Sequence, residues 1–138
     1  IKIESKTGSI AWFLEVGLMF KIKVDTAFWP EHSDPVNDVY VFVYTIQITN
    51  VSQKSAQLLS RHWVITDGFG TTREVRGDGV VGVQPKIAAG ESFEYSSSCP
   101  LSTPFGQMHG EYYCVDETGA QFIVDISPFL LTAPNTLH

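Results

Sequence analysis

Gly77-Asp78-Gly79-Val80-Val81-Gly82-Val83-Gln84-Pro85-Lys86-Ile87-Ala88-Ala89-Gly90 is the stretch on which the fold turns. Its first six residues match the G-x-G-x-x-G signature of dinucleotide-binding α/β proteins. That signature works only where a strand precedes it and a helix opens at the last glycine, because the helix N-terminus holds the pyrophosphate. An acidic residue for the ribose must also follow roughly 20 positions on, at the end of a second parallel strand. Residues 71–76 can form the first strand. The residues after Gly82 cannot form the helix, since they are β-branched and place Pro85 and Gly90 where interior turns would lie. A kinase-type glycine loop fails too, because no Lys-bearing strand or His-Arg-Asp loop follows. The stretch reads instead as a glycine-rich bulge between strands, its glycines supplying positive φ. No cofactor is expected.

Strand signals dominate on either side. Residues 39–49 are a β-branched and aromatic run with Tyr40, Phe42, Tyr44, Ile46 and Ile48 on one face. The other face moves from Val39, Val41 and Val43 to Thr45, Gln47 and Thr49. Comparable runs cover residues 18–28, 57–66, 92–97, 110–115 and 121–126, and alternation in the second places Leu59, Trp63 and Ile65 together. Turns fall at Asp67-Gly68-Phe69-Gly70, Ala89-Gly90-Glu91, Pro104-Phe105-Gly106 and Asp116-Glu117-Thr118-Gly119. About seven short strands at this spacing, with no helix-period segment of ten or more residues, predict an all-β, immunoglobulin/fibronectin type III-like antiparallel sandwich. Trp63 suits its buried central tryptophan. Tyr112, two residues before Cys114, suits a tyrosine corner. Cys99, on the loop side, is poorly placed for a disulfide between sheets, which favours the fibronectin variety.

Composition excludes several classes. At 138 residues the chain suits one sandwich, here 17–138, preceded by an extension or linker over 1–16. Net charge is −6 with only 9 Lys and Arg, the wrong balance for a nucleic-acid surface. Two cysteines and four scattered histidines offer neither a disulfide framework nor metal-ligand spacing. The apolar stretch 10–20 is too short for a bilayer and is broken by Glu15 and Gly17. A reducing, intracellular setting, cytoplasmic or nuclear, is expected. A start at Ile1 rather than Met is what a domain cut from a longer chain would show.

Four blocks then resemble the ApaG family: residues 57–63 (Gln-Leu-Leu-Ser-Arg-His-Trp), 75–85 (Val-Arg-Gly-Asp-Gly-Val-Val-Gly-Val-Gln-Pro), 101–110 (Leu-Ser-Thr-Pro-Phe-Gly-Gln-Met-His-Gly) and 126–131 (Ile-Ser-Pro-Phe-Leu-Leu). The resemblance implies a fibronectin-type sandwich that stands alone in bacteria and forms a domain of eukaryotic F-box ubiquitin-ligase and polymerase-delta-interacting proteins. It implies protein–protein interaction, with no catalytic residues to carry over. Val83 stands where the family commonly has Glu, which removes an acidic group beside the glycine loop.

Three candidate features follow. Arg61-His62-Trp63 has a proton carrier but no nucleophile motif, so no enzyme is expected. Arg61 is better suited to reach carbonyls and hold the glycine loop, using its five donors. The loop itself, through Arg76, Gly77, Asp78, Gly79 and Gly82, could bind a diphosphate-like anion on its amides. Phe69 and Phe105, on turns, are the candidate anchors for a protein partner. An exposed sheet edge is a route to a homodimer.

Overall fold

Alternation at period two becomes two facing sheets. The computed structural model describes residues 19–134, so the proposed 1–16 extension lies outside the described residues. Among the described residues there are eight strands: β1 (Phe20–Phe28), β2 (Tyr40–Asn50), β3 (Ala56–Asp67), β4 (Thr72–Asp78), β5 (Lys86–Ile87), β6 (Ser92–Leu101), β7 (Phe105–Asp116) and β8 (Gln121–Thr132). One sheet has the order β1-β2-β6 and the other β4-β3-β7-β8, with β5 pairing to β3. All pairings are antiparallel. Two single-turn 3-10 helices, at Pro30–His32 and Pro35–Asn37, punctuate the β1–β2 connection. Among the described residues no helix is long and apolar enough to cross a membrane.

The core is the apolar stripe of each sheet. Phe42, Tyr44, Ile46 and Ile48 face Leu58, Trp63, Met108, Tyr112 and Ile126 across the sandwich, all buried. Each large apolar side chain removed from water contributes roughly 1.5–3 kcal/mol, which is how one such stripe can hold two sheets. Trp63 packs edge-on against Tyr44, Tyr112 and Phe129.

Several elements depart from the sequence-based expectation. The register of β3 against β7 shifts between Leu58 and Ser60, so Leu58 rather than Leu59 enters the core. Cys99 lies within β6, buried, and not on a loop; both cysteines are free. The Tyr112 hydroxyl does not form a corner with nearby backbone but meets Tyr95 of the opposite sheet at 2.5 Å. Strands β6 and β8 continue through Pro100 and Pro128. Both are edge strands, where a missing N–H costs no ladder bond.

Candidate functional site

The sandwich sorts the candidate residues into two groups. Phe69 and Phe105 lie at the end where β3 turns into β4 and β6 into β7. Arg76, Gly77, Asp78, Gly79 and Gly82 lie where β4 leaves the other end of β3. Along β3 that is a separation on the order of 20 Å, from the rise of a strand.

At the glycine loop the β3 bulge sets the geometry. It turns the Leu59 carbonyl outward, where it accepts from Gly79 N at 2.7 Å and from Gln84 Nε2 at 2.9 Å. Arg61 pairs with Gly77 across the strands. Its Nη1 donates to the Asp78 carbonyl at 3.0 Å and the Gly79 carbonyl at 2.9 Å. Gly77 has no side chain because the guanidinium lies there: a Cβ would sit 2.9 Å from both terminal nitrogens.

Residues Val80 to Val83 then close on themselves, Val80 N donating to Val83 O at 2.8 Å and Val83 N to Val80 O at 3.0 Å. The central pair, Val81 and Gly82, is left-handed throughout, with φ of 41° and 84°. That is the geometry of a two-residue hairpin turn of primed type. No helix starts at Gly82. The next regular element is β5, so the dinucleotide signature is here a small hairpin. Of the loop amides, those of Gly79, Val80 and Val83 are already donated to carbonyls of the chain.

Behind the loop, Asn50 is wholly buried and fully used. It donates to the carbonyls of Lys54 and Ile87 at 2.8 Å each and accepts from Ser52 N at 2.9 Å and Ser52 Oγ at 2.7 Å. In the sequence it reads only as the start of a turn. A buried amide with four partners is a structural tie, holding β5 to the β2–β3 turn.

The opposite end presents aromatics on a braced frame. Asp67 Oδ1 accepts from Phe69 N and Thr71 N at 2.9 and 3.0 Å, fixing the β3–β4 turn. Thr103 Oγ1 accepts from Gly68 N at 2.8 Å and donates to Phe105 O at 2.7 Å, joining that turn to the β6–β7 loop. The Phe105 ring therefore lies against Gly68, where a Cβ would fall 2.9 Å from its Cζ. Phe69 is 83% exposed and Phe105 54%. A cavity of about 350 Å³ opens beside this frame, lined by Ile65, Asp67, Arg73, Leu101 and Ser102 among others. Arg73 closes its wall by donating to the Pro100 carbonyl at 2.7 Å, from one sheet to the other.

His62 lies on the outer face of the larger sheet. Its Nε2 is 2.7 Å from Glu74 Oε1, and its Nδ1 is 3.6 Å from Glu111 Oε1. Tyr113 donates to Glu111 at 2.5 Å. That hydroxyl, aided by His62 and Arg76, holds the Glu111 carboxyl below its usual range. Three strands contribute to this cluster, which sequence reading did not assemble. Among the described residues no group of three or more His, Cys, Asp and Glu side chains is placed to hold a metal ion.

Fold and surface together define a small antiparallel β-sandwich of the immunoglobulin/fibronectin type, with its glycine loop folded as a braced hairpin. The ApaG domain model matches residues 30–116. The chain is 55% identical over 117 residues to Protein ApaG of Bordetella pertussis, covering 85% of this chain and 89% of that one. It is 50% identical over 119 residues to Protein ApaG of Methylobacillus flagellatus, covering 86% and 94%. A crystal structure from Bordetella pertussis, described as an ApaA protein, superposes with a TM-score of 0.82 at 53% identity, covering 85% of this chain and 95% of that one. The chain belongs to the ApaG domain family.

Proposed function

We propose that this domain is a non-catalytic protein-binding module whose contact surface is the end carrying Phe69 and Phe105. The observation behind this is the pairing of two exposed aromatic rings on one hydrogen-bonded frame. Leu130 on β8 and Val36 in the β1–β2 connection are also exposed, and the strand registers place them toward the same end. Aromatic anchors held in place before binding lose little freedom when they dock, so they contribute most of an interface's free energy. A net charge of −6, with only 9 Lys and Arg, argues against a general nucleic-acid surface and so supports a protein partner. Two free, buried cysteines suit a reducing interior. The F-box setting implied by the resemblance forms no part of the proposal, since the proteins named above are bacterial and carry only the names ApaG and ApaA.

Affinity capture from cell extract, with wild type and a Phe69→Ser/Phe105→Ser variant of equal melting temperature, is the test. Loss of the specifically retained proteins is expected. Undiminished capture would move the contact surface elsewhere. The alternative, a diphosphate-bearing ligand on the glycine loop, has three spent amides against it. Pyrophosphate titration is expected to leave the amide resonances of Gly77, Gly79 and Gly82 unshifted, and a saturable shift would revive it.

A further inference from the structure

Each sheet has two edges, and they differ in how they are guarded. Strand β6 carries Pro100 and β8 carries Pro128. Strand β1 presents Lys21 and Lys23 and lies near β8, Thr26 Oγ1 donating to the Leu130 carbonyl. Strand β4 has neither proline nor lysine, and its charged side chains, Arg73, Glu74, Arg76 and Asp78, are of both signs. It pairs only with β3 among the described residues, its register runs from Thr72 to Asp78 without a shift, and all but Gly77 of its residues are exposed.

The direction of its free backbone groups follows from the hairpin. Asp67 N donates to Thr71 O, which makes that a hydrogen-bonded pair. In an antiparallel ladder bonded and non-bonded pairs alternate. Arg73, Val75 and Gly77 therefore spend their backbone groups on β3, while Thr72, Glu74, Arg76 and Asp78 turn theirs outward. The same four side chains share the outer face, as the Glu74–His62 contact shows.

We propose that β4 is a self-pairing edge, on which a second copy of this chain docks antiparallel about a two-fold axis at Val75. In that register Glu74 lies opposite the partner copy's Arg76, and Arg76 opposite its Glu74. Thr72 meets Asp78, Arg73 meets Gly77, and the two Val75 side chains meet on the axis. Each bonded pair in this arrangement uses backbone groups that point outward in the single chain. Centring the pairing on Glu74 or on Arg76 instead would set identical charges face to face, which disfavours it. Within one chain Glu74 and Arg76 make only an exposed contact at 3.7 Å. Such a surface pair contributes little, so what Glu74 gives up or shares in turning to a partner is chiefly its 2.7 Å contact with His62. The two four-stranded ladders would become one continuous sheet. Edge pairing covers less surface than a standard interface, so the association is expected to be concentration-dependent in the micromolar range or weaker.

The inference stands apart from the aromatic end and is tested apart from it. Sedimentation equilibrium of wild type over a wide concentration series is expected to show a monomer–dimer equilibrium. Glu74→Arg alone and Arg76→Glu alone are each expected to shift the dissociation constant upward at least tenfold. An equimolar mixture of those two variants restores the cross-strand pairs and is expected to associate again, as is the Glu74→Arg/Arg76→Glu double variant. Circular dichroism and melting of each variant separate loss of association from loss of fold. Wild type that stays monomeric throughout would overturn the proposal. So would a dimer indifferent to the single reversals, or single variants that weaken it but do not recover on mixing.

Discussion

The Arg61 guanidinium lies over Gly77 and donates to the Gly79 carbonyl at 2.9 Å, so one side chain holds the strand-to-loop turn from within. Removing it leaves two carbonyls without their charged donor. Arg61→Met is expected to lower stability by about 1.5–3 kcal/mol, the usual range for hydrogen bonds to a charged group. Gly77→Ala displaces the same guanidinium and is expected to act in the same direction. Combined, the two changes should cost less than their sum, because each removes what the other supports. Denaturant unfolding of the two single variants and the double measures this, and full additivity would refute the linkage.

The Tyr95 and Tyr112 hydroxyls form a buried pair that bridges the sheets. Tyr95→Phe or Tyr112→Phe strands the remaining hydroxyl away from water, at an expected cost of about 1–3 kcal/mol. The double Phe variant leaves no orphan, so it should be closer to wild type than additivity allows. A double-mutant cycle with no coupling would count against the bridge.

Burial raises the titration of Tyr44, Tyr95, Tyr112, Cys99 and Cys114, with Cys114 pushed up to about 12. The unfolded chain releases these protons from about pH 9 for Cys and 10 for Tyr, whereas the folded chain keeps them. The native state then binds more protons, so stability must fall as pH rises. Melting temperature is expected to hold from neutral pH to about 9 and decline above it. Cys114→Ala should make the first part of that decline shallower. Stability that increases between those values and stronger alkali would contradict the assignment.

Val81 is a β-branched residue at a φ of 41°. Such side chains rarely adopt that conformation. Asn followed by Gly is the pair this turn prefers. Val81→Asn is expected to raise stability by about 1 kcal/mol by relieving the left-handed strain. A lower melting temperature would mean that the exposed Val81 side chain makes contacts outweighing that strain.

Much of the fold was legible because alternation has one physical cause in every strand. A half-buried strand sorts its residues at period two, so residues 39–49 announce β2 without help from the rest of the chain. The absence of a helix begun at Gly82 was legible as well, since Pro85 cannot sit inside one. The β3 bulge was not, because the sequence around Leu58 and Leu59 reads equally well with either residue inward. Neither was the His62, Glu74 and Glu111 cluster, whose members come from three strands and meet only once registers are set.

By itself, the sequence determined that strands dominate, where most of the turns fall and that no helix lies behind the glycines, all of them properties of neighbours along the chain; Phe105 and Gly106, which read as a turn, instead open β7. Tertiary structure alone decided which carbonyls Arg61 reaches at the glycine loop, that Phe69 and Phe105 share one end, and that among the described residues β4 is left as an edge. Those are outcomes of strand order and register, fixed by which apolar faces meet and by where the bulge falls. No local pattern encodes them, because the residues involved become neighbours only after the two sheets have closed.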